Sequence, residues 1–440
     1  LARPQDAARF SVTTYATAIA FPGSMIRLGD GSILVASSDG SNLFKSKSGR
    51  LLRLQDTNHD GVADGAPTVV ASGLPGLVTS LRQTGNLVMA LSSQDGNQAI
   101  TLLTKGATPG DVLTVAGKIH FSFPSGFLHT IYAMATRPVP GDPTTTELYF
   151  NLGSEFNDKP TTPGKTVGIS GSEGVSLISP NLNPGSIYRI KLHDSGSGIT
   201  VSAPEQIATG LRNAAGIAFA RNGDLVFQDN GIDTPPPGDG NVALSADELN
   251  RIGISQIAAK IFNFGFPDTY TDAVTGSTMC ILGTSCPPTG VSTPIIAFLP
   301  KDGRRSEGAV EVSLAPEAFG SDFSEGFFVS FFGKTFGAGP TNDENPVVFA
   351  DLNTGDYFHF VNNQLLAHPY GLLATDDTLY LSDLSFIGYE FGSVDGVPAN
   401  QAGVIYAIRS LRDVAPVPGP LPVAGLGIVY AYSRRIRRRI

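Results

Sequence analysis

One short pattern recurs through this chain: an apolar run, a tight turn, a second apolar run, and further on a strand shaped like Gly-x-Ile-Tyr-x-Ile. It is clearest over residues 210–252, where GIAF and LVF flank an Asn222-Gly223 turn and DELNRI follows a Pro/Gly-rich loop. Asn-Gly between alternating apolar residues is a strong hairpin signal. The same unit begins at Ser24 (SMIRLGDGSILVASS, then GRLLRL) and at Val78 (VTSLRQTGNLVMALSS, then AITLL). It returns as TIYAMATRP with ELYFNLGSE and SIYRIKL, as GAVEVS with EGFFVSFFG and PVVFADL, and as YGLLATDDTLYLSDLS with GVIYAI. That makes six copies.

Units of this kind cannot bury both faces alone, and stacking them radially covers the faces while leaving few open edges. The sequence therefore predicts an all-β fold: a six-bladed β-propeller of four-stranded blades, with a β-sandwich pair as the alternative. Residues 21–411 form the propeller, 1–20 precede or close it, and 412–440 are a linker and a short apolar/basic tail. The 51 glycines and 31 prolines against 16% charged residues suit many short strands joined by turns. Only residues 245–260 read as a helix. The run FFVSFFG reads as blade core, and Gly196-Ser197-Gly198 as a hairpin turn.

A net charge of -9 excludes a nucleic-acid stripe. No nucleophile elbow, Walker loop or His-Glu-x-x-His is present. Cys280 and Cys286, close together in one loop, fit a local disulfide and an oxidising compartment better than a metal site.

In a propeller the loops entering the innermost strands meet at one channel mouth. Residues at that position are His129, Arg212, Asn213, Arg305, Ser306, Glu307 and His368. Imidazoles, guanidinium groups and an amide facing one funnel make a candidate polar site. A separate loop, DTNHDGVAD at 56–64, places Asp56, Asn58, Asp60 and Asp64 as oxygen donors around Gly61. It reads as a short structural calcium loop, with a solvated Asx-rich turn as the alternative.

The segments LRNAAGIAF, GDLVFQDNG, DELN and NFGFP resemble the soluble quinoprotein sugar dehydrogenases, the glucose/sorbosone dehydrogenase family. The likeness spans most of 21–410 and is specific over 210–267. It implies a six-bladed propeller binding pyrroloquinoline quinone (PQQ) and calcium at the channel mouth and oxidising a sugar or polyol. Carried over by residue, His129 takes the general-base position, and Arg212 would stabilise charge on the quinone oxygen. Asn213, Lys334 and His368 would contact the cofactor, and Asp247 and Glu248 of DELN are hard oxygen donors for calcium. The chain departs from the family pattern in four places. Asp229-Asn230-Gly231 replaces Glu-His-Gly, Ala214 replaces Pro, Phe266 replaces Trp, and Thr130-Ile131-Tyr132 follows His129 where the family is Gly-rich. The reading from a different class is a non-catalytic surface propeller that binds glycans or extracellular matrix.

Residues 417–440, VPGPLPVAGLGIVYAYSRRIRRRI, combine a Pro-rich break, an apolar span too short to cross a bilayer upright, and a cluster of arginines. This resembles a PEP-CTERM sorting signal, in a form common in cyanobacteria. It implies export, transient membrane association and processing by envelope machinery; a permanent tail anchor or a disordered basic tail are the alternatives. A chain beginning at Leu1 fits a leader already removed.

Overall fold

The computed structural model describes residues 1–39, 43, 46–93, 98–178, 180–233, 245–257, 259–281, 289–299, 308–333, 346–361, 366, 368–384, 393–394, 397–398 and 403–411. The sorting-tail reading of 412–440, Lys334, and the Arg305, Ser306 and Glu307 group lie outside the described residues.

The chain is an all-β propeller with predominantly antiparallel sheets. Sheets of four or more strands begin, in chain order, with innermost strands Met25–Arg27, Leu77–Thr84, Met134–Val139, Gly216–Phe219, Ala309–Leu314 and Pro369–Ala374. Each of these strands packs against the innermost strand of the next sheet, and the last packs against the first. The second strands lie sandwiched between neighbouring sheets. Ile33–Ser38, Leu225–Asp229, Gly326–Phe331 and Thr378–Asp383 are buried at every residue. That is why they read as continuous apolar runs rather than alternating ones. The outer strand Thr68–Pro75 is half exposed.

The two irregular sheets carry the insertions. The second gains Val167–Ser172 and Asn181–Leu182, and the third gains Val175–Leu177, Ile199–Val201 and Phe262–Asn263. The helix expected over 245–260 is overturned. Asp247–Ile252 is a strand paired with Leu225–Asp229, followed by a 3-10 turn at Ile254–Gln256. Ladder hydrogen bonds and the burial of Leu249 and Ile252 override the weak helical preference of the segment.

The amino-terminal strand Phe10–Ile19 pairs with the carboxy-terminal strand Gly403–Ser410, so the two ends of the chain share the last sheet. Phe10 also reaches the neighbouring sheet, where its ring meets Phe319 at 4.5 Å, Phe360 at 5.5 Å and Phe323 at 5.7 Å.

Polar residues on second strands fasten adjacent sheets near the mouth. The Ser330 hydroxyl donates to Tyr370 O (2.7 Å), Ser382 donates to Gly23 O (3.0 Å), and Gln228 Nε2 donates to Ala309 O (2.6 Å). At Gly371 the last innermost strand comes so close to the segment leading into the first that an added Cβ would stand 2.2 Å from Gly23 O. Gly371→Ala is therefore expected to destabilise the fold by about 1–3 kcal/mol, read as a lowered urea midpoint with an unchanged slope.

Deeper in the channel, Arg82 from the second sheet pairs with Glu311 from the fifth (3.0 Å) and donates to Ile217 O of the fourth (3.2 Å). Ser24 Oγ donates to the second oxygen of Glu311 (3.3 Å). This network ties opposite sheets across the axis and gives the mouth a polar floor.

Candidate functional site at the channel mouth

The segment before the third innermost strand runs beside the end of that sheet's second strand. Leu128 N donates to Glu155 O (2.9 Å), His129 N to Ser154 O (3.1 Å) and Ser154 N to Arg212 O (2.9 Å). These bonds place His129 and Arg212, 83 positions apart in the chain by subtraction of their numbers, on either side of Ser154 at one rim. The close approach requires Gly153, where an added Cβ would stand 2.4 Å from the His129 Cβ.

The same contacts fix the imidazole's tautomer. The Ser154 hydroxyl donates to Phe156 O (2.7 Å), so its oxygen accepts the proton on His129 Nδ1 (3.1 Å). Nε2 is left with its lone pair, and among the described residues no hydrogen bond reaches it. Burial, and secondarily the Arg212 charge, hold the His129 pKa well below the ordinary histidine value. At neutral pH the ring is an uncharged base.

Arg212 is almost fully buried, and its guanidinium is well engaged. Nε donates to Asn157 O (3.1 Å), and Nη2 donates to Asn157 Oδ1 (2.7 Å) and Asp233 Oδ2 (2.5 Å). Nη1 has only a long contact with Asn230 O (3.5 Å), so it retains capacity for a ligand. Asp229 accepts the backbone N–H groups of both Arg212 (3.0 Å) and Asn213 (2.7 Å). The side-chain oxygens of Asn213 and Asn230 are buried without partners, which costs free energy until something fills them. His368 donates from Nδ1 to Phe332 O (2.8 Å) and stacks on the Phe332 ring at 4.9 Å. Its backbone N–H is held by Asp383 (2.8 Å).

The residues read from the sequence as metal donors all accept hydrogen bonds within the protein. Asp247 accepts N–H groups from Gly231 (2.8 Å) and Ala309 (3.3 Å), so it braces the fourth sheet against the fifth. Glu248 accepts from the Thr271 hydroxyl (2.6 Å) and from Asn250 (3.1 Å). In the 56–64 loop, Asp56 accepts Asp60 N, Gly61 N and Arg409 Nη2, and Asp64 accepts the backbone and hydroxyl of Thr57. Asn58 accepts Asp60 N through Oδ1 and donates through Nδ2 to Asp60 Oδ2 (both 3.0 Å). Among the described residues no three His, Cys, Asp or Glu side chains come together as a metal cage. As they stand, these carboxylates accept hydrogen bonds from backbone N–H groups and neighbouring side chains. Cys280 is disulfide-bonded; Cys286 lies outside the described residues.

Sequence reasoning missed the coupling of Asp229 to Glu248, which sit opposite each other in the strand ladder. Burial, then the Glu248 carboxylate, push the Asp229 pKa up to about 7. Burial raises Glu248 as well. The pair lines a small cavity of about 20 Å³ together with Arg212, Phe264 and Tyr270. The available signal was the pairing register implied by LVFQD and DELNRI.

The sign of the resulting pH dependence follows from linkage. Asp229 binds its proton more tightly folded than unfolded, so its contribution to stability is lost as pH rises from about 4 towards 7 and is constant above that. Melting temperatures of wild type and Asp229→Asn are expected to converge at low pH, with the wild type losing more between pH 5 and 7. Parallel curves would contradict the assignment.

The chain matches no protein-family model. No curated protein matches it in sequence. Its fold is similar to that of several solved structures. The calcium structure of the Trichoderma reesei AA12 carbohydrate-active enzyme has a TM-score of 0.53 at 16% identity, over 91% of this chain and 95% of that one. The PQQ-bound aldose sugar dehydrogenase of Streptomyces coelicolor has a TM-score of 0.51 at 16% identity, over 92% and 99%. The PQQ domain of pyranose dehydrogenase from Coprinopsis cinerea has a TM-score of 0.54 at 14% identity, over 91% and 95%. At these identities the likeness establishes the propeller fold.

Proposed function

We propose that this protein is an exported oxidoreductase-like propeller whose six sheets are six blades, and that it oxidises a sugar or polyol with PQQ and calcium at the channel mouth. The observation that carries the reading is the bare Nε2 of His129, a neutral base at a polar rim beside a guanidinium. The donor chemistry there fits the cofactors. Nη1 of Arg212 retains hydrogen-bonding capacity for a quinone oxygen or carboxylate. The unpartnered Asn213 and Asn230 oxygens are hard acceptors of the kind calcium or a sugar hydroxyl satisfies.

In this reading His129 Nε2 removes the proton from the substrate hydroxyl, with Ser154 holding the ring in the required tautomer. A quinone held there would supply the acceptor for the hydride that leaves the same carbon. Arg212 orients the acceptor, and burial of the rim limits competing water. The Arg82–Glu311 floor limits how deep a ligand sits. Export and envelope processing are supported by the 417–440 tail, and a structural calcium ion at the 56–64 loop by its donor spacing.

The test is dye reduction by purified protein supplied with PQQ and calcium over a panel of sugars and polyols. Turnover with retained quinone supports the reading. No turnover and no quinone retention, with glycan binding intact, would favour the non-catalytic surface propeller.

A further inference from the structure

A second cavity lies at the other ends of the innermost strands, between the first and second sheets. It has a volume of about 220 Å³ and opens to solvent. Its floor is apolar, built from Leu28, Leu34, Val70 and Leu113, all in or against one core cluster.

Two cationic side chains stand at its edge with donors to spare. Lys105 Nζ donates to Gln83 Oε1 and Gly85 O, both at 3.0 Å, which leaves the third of its N–H groups over. Among the described residues no carboxylate pairs with it, and burial alone holds its pKa below the usual lysine range. Arg53 uses Nε on Ser32 (3.0 Å) and Nη2 on Asp30, while Nη1 makes no described hydrogen bond and faces the Gly110 backbone. Two carboxylates, Asp30 and Asp111, also line the cavity, and each is already engaged. Asp30 takes Arg53 and Ser32, and Asp111 is turned back onto Thr108 N (2.9 Å) and Oγ1 (2.7 Å).

A half-buried ammonium without a counter-ion, set over an apolar floor, is matched by a ligand with one anionic end and an apolar body. We propose that this cavity binds a small apolar carboxylate, its carboxylate on Lys105 and Arg53 Nη1 and its hydrocarbon part over Leu34 and Val70. The site is remote from the His129 rim and does not depend on the function assigned there.

The test uses the full chain and three probes of one shape: 2-naphthoate, 2-naphthylmethylamine and 2-naphthalenemethanol, with binding followed by ligand-observed NMR. The carboxylate is expected to bind with a Kd at or below about 1 mM, and the amine at least tenfold more weakly, about 1.4 kcal/mol. Lys105→Met, which keeps the aliphatic stem, is expected to weaken 2-naphthoate about tenfold and bring it level with the alcohol. Gly29 lines the cavity, and a Cβ there meets nothing within 4 Å. Gly29→Phe should therefore fill the space, keep the wild-type melting curve and abolish binding. The proposal is overturned if 2-naphthoate fails to bind, if the amine binds as well, or if a folded Gly29→Phe still binds the carboxylate.

Discussion

Replacing His129 with alanine is expected to lower dye-linked sugar oxidation by about 10²–10⁴-fold in kcat/KM, the usual contribution of a positioned general base. Quinone retention and the melting temperature should stay near wild type. The imidazole's one described side-chain hydrogen bond is to a serine that keeps its second partner, the Phe156 carbonyl. The wild-type pH profile should carry the same signature. Burial and Arg212 hold the His129 pKa well below the ordinary histidine value. Loss of rate through its protonation therefore begins only well below the ordinary histidine range. An acid limb near pH 6.5 would show an imidazole in contact with water and no guanidinium neighbour.

The second large effect concerns ring closure. Phe10→Ala is expected to destabilise the protein by about 3–5 kcal/mol, the range for removing a buried aromatic ring. Phe10 is 3% exposed and is the residue by which the amino-terminal strand enters the aromatic cluster of the fifth sheet. Total stabilities of about 5–15 kcal/mol make this a large share. Deleting residues 1–20 goes further, since it removes the whole strand paired with Gly403–Ser410 and opens the last sheet. The deleted chain is expected to lose its cooperative urea transition. If Phe10→Ala shifts stability by less than about 1 kcal/mol, the closure does not depend on that wedge.

The sheets were legible in the sequence because each unit carries its own hairpin chemistry. Asn222-Gly223 and its counterparts specify turns locally, and the buried second strands announce themselves as apolar runs. Convergence of His129 and Arg212 was legible for the same reason, since both occupy the position before an innermost strand. Three things were not. The 247–252 segment was read both as a strand and as part of a helix, and only pairing with Leu225–Asp229 decides between them. The hydrogen-bond partners of the acidic donors could not be read from spacing, because they depend on neighbouring strands, as Asp247 shows with Gly231 and Ala309. The serine that sets the tautomer of His129 was inside a quoted segment, but no periodicity marks a hydroxyl as an acceptor from one imidazole nitrogen.

The central claim is that the mouth presents a neutral His129 with its proton on Nδ1 and its lone pair on Nε2. Long-range ¹H–¹⁵N correlation spectra of histidine-labelled protein, assigned by comparison with His129→Ala, report this directly. The expected spectrum is that of the Nδ1–H form for His129 at pH 7, shifted in the Ser154→Ala variant. An Nε2–H form at pH 7, or a titration centred near the unperturbed histidine value, would contradict it.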